Sequence, residues 1–234
     1  MAHPLRQRIM ITGASSGLGA GMARQFAARG RDLALVARRL DRLEALRDEL
    51  LAQYPGMRVA VAPLDVDDPD AVAAVVPRLA GELGGLDRFI ANAGLGKGTP
   101  IGTGNARPNR QVLVTNVLGT HACCEAAVAL FRAQGAGHLV VVSSVAGVRG
   151  MRGTRTAYAT SKAADAVLAE GIRADLLGDQ VDEGVRARGA GLRAGVAVAP
   201  GRRAAARPPA AGGPPPRLRK DPGPPALREL SAGP

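Results

Sequence analysis

From Arg8 to Leu177, short aliphatic runs alternate with stretches of helical periodicity. The runs Arg8–Thr12, Asp32–Ala37, Met57–Leu64, Leu86–Ala91 and His138–Ser143 are each five to eight positions long. Runs of that length, bounded by turn residues, predict buried strands. Between them apolar positions recur three and four apart: over 17–29, at Leu40, Leu43, Leu46 and Leu50, over 69–80, over 108–134, and over 157–177. That spacing puts one apolar face on each helix. Gly30 is placed to end the first helix, and Asp68-Pro69 reads as an N-cap followed by proline at the first helical position. Strands alternating with helices make βαβ units. The predicted fold is therefore α/β, a doubly wound parallel sheet with helices on both faces and right-handed crossovers.

The pattern stops near Gly178-Asp179. Ala, Gly, Pro and Arg make up most of the segment from Val181 to Pro234, and all five aromatic residues precede it. So little bulky apolar mass cannot offset an ordering entropy of roughly 1–2 kcal/mol per residue. The expected organisation is a folded domain over 1–179 and a disordered tail over 180–234. The tail also holds ten of the 17 prolines and a net charge of +6, more than half of the chain's +11. A tail evolved for nucleic acid or anionic lipid would carry interleaved aromatics or amphipathic spacing, and this one has neither. Out-of-frame translation of a GC-rich gene would give such a composition. The coding DNA around codons 175–200 tests that origin.

Other classes fall away on composition. No uninterrupted apolar run reaches ~18 residues, which argues against a membrane-crossing helix. The start, Met1-Ala-His-Pro-Leu-Arg-Gln-Arg, lacks the apolar stretch of a secretory signal. The only two cysteines, Cys123 and Cys124, are adjacent, so a disulfide framework is not expected and a reducing cytoplasm fits. Their place on a helix suggests packing. His3, His121 and His138 are scattered and read as structural or exposed, and Lys97 as a solvated loop charge. Asp65, Asp67, Asp68 and Asp70 lack the glycine and glutamate that a calcium loop needs, so no metal site is assigned.

Candidate chemistry sits where the pattern turns. Thr12-Gly13-Ala14-Ser15-Ser16-Gly17-Leu18-Gly19 joins the first strand to the first helix. Glycines there let a pyrophosphate approach the backbone at a helix N-terminus, so Gly13, Ser15, Ser16, Gly17, Leu18 and Gly19 are cofactor-binding candidates in a Rossmann-like fold. The second strand ends in Arg38-Arg39 instead of an acidic residue. Two guanidinium groups suit a 2′-phosphate, which favours NADP over NAD. Asp65 and Val66 follow the third strand, at an adenine edge, and Asn92-Ala93-Gly94 ends the fourth near the expected crevice. Tyr158 and Lys162, four apart, share a helix face after a strand ending in Ser143-Ser144. A phenol beside an ammonium gives up its proton more readily, and a serine hydroxyl can polarise the same substrate oxygen.

These motifs, in this order, resemble the short-chain dehydrogenase/reductase family of the non-extended kind over roughly residues 6–179. The matching segments are 12–19, Asn92-Ala93-Gly94, Asn116, Ser143-Ser-Val-Ala-Gly147 and Tyr158-x-x-x-Lys162. The resemblance implies Tyr158 as catalytic acid/base, Lys162 supporting it and holding the nicotinamide ribose, Ser144 orienting substrate, and Asn116 supporting a proton-relay water at a helix break. Ser144, fourteen positions before Tyr158, fits the family spacing better than Ser143. The implied activity is NADP-dependent hydride transfer between a small-molecule alcohol and a carbonyl. The implied assembly is a homodimer or homotetramer through the helices near 108–134 and 157–177.

One stretch departs from the family. A sixth, Val/Ile-rich strand should lead into a Pro-Gly turn close to position 190. Pro200-Gly201 comes well after that position and follows Val196-Ala-Val-Ala199, which reads as a coincidental match. The expectation is that the C-terminal strands are missing or disordered and that strand five is left as an open edge. An impaired protein that binds nucleotide without turnover is the alternative.

Overall fold

A computed structural model describes residues 7–182 and 193–199. Its order is β1 (Arg8–Thr12), α1 (Gly17–Ala27), β2 (Asp32–Ala37), α2 (Leu40–Gln53), β3 (Val59–Pro63), α3 (Pro69–Glu82), β4 (Arg88–Ala91), α4 (Arg107–Leu113), α5 (Thr120–Gln134), β5 (His138–Ser144), α6 (Thr156–Asp182) and β6 (Arg193–Ala199). All strand pairs are parallel, in the order β3-β2-β1-β4-β5-β6. The five strands expected from the sequence are present, with ends that shift by no more than two positions.

The aliphatic runs are continuous because both sheet faces are covered. In β1, Ile9 and Ile11 join a core with Ala20 and Ala23 of α1 and Leu43, Leu46 and Leu50 of α2. Met10, pointing the other way, joins Val72, Val76 and Leu79 of α3 and Cys123, Ala127 and Phe131 of α5. One alternating strand thus serves two cores. The predicted start of α3 is also seen: Asp68 accepts from the Ala71 N–H at 3.0 Å, with Pro69 as the first helical residue.

Two expectations need correction. The first concerns the missing strands. Arg193–Ala199 pairs in parallel register with β5 along its whole length, from His138↔Arg193 to Ser144↔Ala199. α6 continues to Asp182 and a sixth strand covers Arg193–Ala199, so β5 is an interior strand. The segment is easy to miss in the sequence because Ala194, Gly195 and Ala197 dilute the apolar signal of Val196 and Val198. A parallel neighbour supplies the backbone hydrogen bonds that such a strand needs. The expected disorder of residues 183–192 and 200–234 lies outside the described residues.

The second concerns 108–134, which is one helical run but not α-helical throughout. A π-helical turn, Val114–Gly119, separates α4 from α5. Arg107–Gln134 as a whole is long and apolar enough to cross a membrane, with a mean hydropathy of 1.4 over its best window. Asn116, Thr120, Cys123, Cys124, Ala127 and Phe131 are nevertheless buried within the fold, so this hydropathy is that of a core helix.

An ion pair ties the start of β1 to β4. Asp87 accepts from the Gln7 and Arg8 backbone N–H groups at 2.9 and 2.8 Å and from the Arg8 guanidinium at 2.6 Å. Burial pushes the Asp87 carboxyl up, but the hydrogen bonds and charge of Arg8 outweigh it and hold the group below its usual 3.8. A depressed carboxyl contributes stability above its unfolded value, which is lost as pH falls through the folded one. Asp87→Asn should cost about 1–2 kcal/mol at neutral pH, discounted for partial exposure. Urea melts of variant and wild type should converge as pH drops below about 4. A gap that persists in acid would show that the charge is not responsible.

Candidate functional site

The chain leaves β1 for β2 on one side and returns to β4 on the other, which opens a crevice at the carboxyl ends of β1 and β4. A cavity of about 560 Å³ occupies it. Every cofactor-binding residue expected from the sequence lines this cavity, from Gly13 and Arg38 through Asp65 and Asn92 to Tyr158 and Lys162. Thr115, Val142 and Ser143 add to the wall. Asn116 and Ser144 are not among its lining residues.

The glycine turn is built for close approach. Gly13 and Gly17 have φ of +67° and +57°. A Cβ on Gly19 would run into the Gly13 carbonyl and come within 2.9 Å of the Asn92 amide nitrogen. Gly13 and Gly19 therefore keep the turn pressed onto the end of β4. Thr12 clamps the same place. Its Oγ1 accepts from the Asn92 and Ala93 N–H groups, each at 2.9 Å, and Asn92 Nδ2 donates to the Thr12 carbonyl at 2.8 Å. The sequence marks Thr12 only as the start of the turn.

At one end of the cavity, Arg39 Nη2 donates to Ser15 Oγ and Ser16 Oγ, both at 3.1 Å. Arg38 Nη1 lies 4.0 Å from Asp65 Oδ2 across an exposed gap. Two guanidinium groups and two hydroxyls thus converge beside the N-terminus of α1. A turn where a side chain would collide, a helix N-terminus and a cationic end fit the phosphates of a dinucleotide.

At the other end stand Tyr158 and Lys162, one turn apart on α6. Lys162 Nζ donates to the Val142 carbonyl and to Asp165 Oδ2, both at 2.8 Å. Asp165 is 1% exposed, and its Oδ1 has no partner among the described residues. Burial pushes the Asp165 carboxyl up, and Lys162 acts against that shift. Sequence reasoning misses Asp165. Its signal is a carboxylate three positions after the lysine on one helix face, but burial is what distinguishes it from a surface pair.

The two serines separate by their bonds. Ser143 Oγ donates to the Lys162 carbonyl at 2.6 Å, so its proton is committed. Ser144 Oγ accepts from the Ala146 N–H at 3.2 Å, which leaves its own proton to give. Asn116 sits in the π turn, fully buried. Its Oδ1 accepts from the Leu95 N–H at 2.7 Å, and its Nδ2 donates to the Leu95 carbonyl and to Ser161 Oγ, both at 3.0 Å. Ser161 Oγ in turn donates to the Tyr158 carbonyl at 2.8 Å. Asn116 and Ser161 thus join the loop after β4 to the tyrosine's own turn. Spacing does not single out Ser161, between Tyr158 and Lys162, because its role depends on a partner far away in the chain.

The residues read as bland take structural places. Burial pushes the Cys123 thiol up to about 12 and raises Cys124 as well, so both stay protonated. His138 Nδ1 accepts from Arg88 at 3.1 Å, and His121 lies 3.8 Å from Glu125. His3 lies outside the described residues.

Fold and cavity together define a dinucleotide-binding α/β oxidoreductase. The family model for short chain dehydrogenases matches residues 7–187. The chain belongs to that family. An uncharacterized oxidoreductase of Mycobacterium tuberculosis is 52% identical over 170 residues, 73% of this chain and 67% of that protein. A Burkholderia phymatum short chain dehydrogenase/reductase solved with NAD superposes with a TM-score of 0.75 at 25% identity, covering 86% of this chain and 67% of that one. A metagenomic short-chain oxidoreductase solved with NADP gives a TM-score of 0.69 at 26% identity, covering 83% and 81%. The chain thus spans about two thirds of the length of the first two.

Proposed function

We propose that this chain interconverts an alcohol and a carbonyl with NADP as hydride carrier. The observation that carries the reading is one cavity with Tyr158 and Lys162 at one end and Arg38, Arg39 and the glycine turn at the other. Gly13, Ser15, Ser16, Gly17, Leu18 and Gly19 would hold the pyrophosphate and Arg38 and Arg39 the 2′-phosphate. Asp65 and Val66 would flank the adenine, with Asn92, Ala93 and Gly94 beneath the nicotinamide end. When bound, the nicotinamide supplies or accepts the hydride. Tyr158 gives a proton to the substrate oxygen in reduction and takes one from it in oxidation. Ser144 donates to the same oxygen and fixes its orientation. Lys162, one turn further along α6, would support Tyr158 and hold the nicotinamide ribose, as the family resemblance implies. Asn116 holds the π turn against the loop after β4 and keeps the proton path to Tyr158 in register. The helices α5 and α6 would carry a homo-oligomeric interface, as the family resemblance implies.

Arg39 provides the cofactor test. Arg39→Ala removes a donor that Ser15 and Ser16 already orient. Charge-assisted contacts to a phosphate are worth about 1.5–3 kcal/mol. NADPH affinity should fall about tenfold or more in a fluorescence titration, with NADH affinity within about twofold. Equal losses for both nucleotides would move the preference away from Arg39.

A further inference from the structure

The charge of this domain is divided unevenly. Residues 1–87 carry eleven Lys and Arg and eleven Asp and Glu, an even balance. Residues 92–157 carry seven Lys and Arg and one acidic residue, Glu125. Arginine richness throughout the chain does not explain this, because the cofactor half is as rich in arginine and matches it with carboxylates.

The excess lies on the segments that follow β4 and β5, at the carboxyl edge where the cavity opens. Lys97, Arg107 and Arg110 follow β4; Arg149, Arg152 and Arg155 follow β5; all six are exposed. The two segments are pinned together. A Cβ on Gly98 would strike the Thr154 carbonyl, and within the first segment Asn109 exchanges hydrogen bonds with the Thr99 backbone at 2.9 and 3.0 Å. Thr156 Oγ1 donates to the Met151 carbonyl at 3.0 Å and braces the second segment. The nearby carboxylates are already engaged: Asp65 faces Arg38, Asp67 accepts from Thr115 and Asp165 holds Lys162. The same segments expose Ile101, Val145 and Val148. Val145 directly follows Ser144.

We infer that the substrate is an anion with an apolar body, a carbonyl or alcohol bearing a carboxylate or a phosphate. This rests on the hydride-transfer reading above and names its substrate class. A one-signed rim around a cleft concentrates ligands of opposite charge and raises association rates by about ten- to a thousandfold, an effect that salt screens. The exposed aliphatic residues receive the body, and the rim cations receive the charge.

The test uses the full chain with NADPH. Oxo acids of increasing chain length are compared with their methyl esters, and a phosphorylated ketone with its free alcohol, which separates carboxylate from phosphate. At low salt (about 20 mM) kcat/KM for the anion should exceed that for its neutral partner about tenfold or more, and the ratio should shrink at about 500 mM. Combined Arg149→Gln, Arg152→Gln and Arg155→Gln should lower that ratio about tenfold. Combined Arg29→Gln, Arg78→Gln and Arg173→Gln removes equal charge from exposed sites elsewhere and should leave it within about twofold. A wild-type ratio near one, or a ratio the rim substitutions do not move, overturns the inference. Turnover of neither member of any pair counts against hydride transfer instead. The anion preference is then read by saturation-transfer NMR of acid against ester on the NADPH complex, and equal binding overturns it.

Discussion

Tyr158→Phe is expected to lower kcat by about a thousandfold while NADPH affinity stays within about threefold. The substitution removes one oxygen and keeps the ring. The Tyr158 carbonyl still accepts from Ser161, so the helix turn and its link to Asn116 survive. What is lost is the group that moves the proton. A positioned acid/base contributes about 10²–10⁴-fold, and Tyr158 is the one phenol in the cavity wall. Single-turnover reduction beside a fluorescence titration of NADPH measures both halves. Turnover within tenfold of wild type would remove Tyr158 from the role, and a wild type that binds NADPH without turnover would favour a nucleotide-binding protein.

The second large effect is on stability. Lys162 and Asp165 form a pair whose side chains are 7% and 1% exposed. Removing one member strands the other charge. Asp165→Leu leaves the ammonium with only the Val142 carbonyl and should cost about 3–5 kcal/mol, a fall in Tm of roughly 6–15 °C. Lys162→Met combined with Asp165→Leu removes both charges and should recover most of the loss, because paired burial carries its own desolvation cost. Thermal melts of the wild type and both variants decide the matter. A double variant no more stable than Asp165→Leu alone would show that packing, not charge, governs the site.

Much of this is legible in the residues. Five strands can be read because Ile, Leu and Val cluster between turn residues, and the cofactor end because Gly13, Gly17 and Gly19 precede a helical repeat. The sixth strand escapes notice because Ala194, Gly195 and Ala197 bear too little apolar surface to mark a strand. The π turn leaves no mark in the periodicity running through Val112 to Ala127, which one extra residue barely disturbs, and only the family resemblance at Asn116 implies a break. The bonds of Ser143 and Ser144 cannot be read either. Adjacent serines look alike until one hydroxyl is seen to be taken by the Lys162 carbonyl. Asp165 becomes distinct only through its burial and Ser161 only through a partner on another element, and spacing alone supplies neither.

The Thr12 clamp bears on how a nucleotide would arrive. With one hydroxyl accepting from two consecutive amides of the opposite strand end, the walls of the crevice are fixed by folding rather than by the ligand. Little backbone freedom then remains to be lost on association. Binding of the dinucleotide would resemble entry into a cast mould: rapid, set by diffusion and charge, and followed by no slow rearrangement at this seam. Motion during a catalytic cycle would then be left to the segments beyond β4 and β5, and the cofactor floor would stay still beneath them.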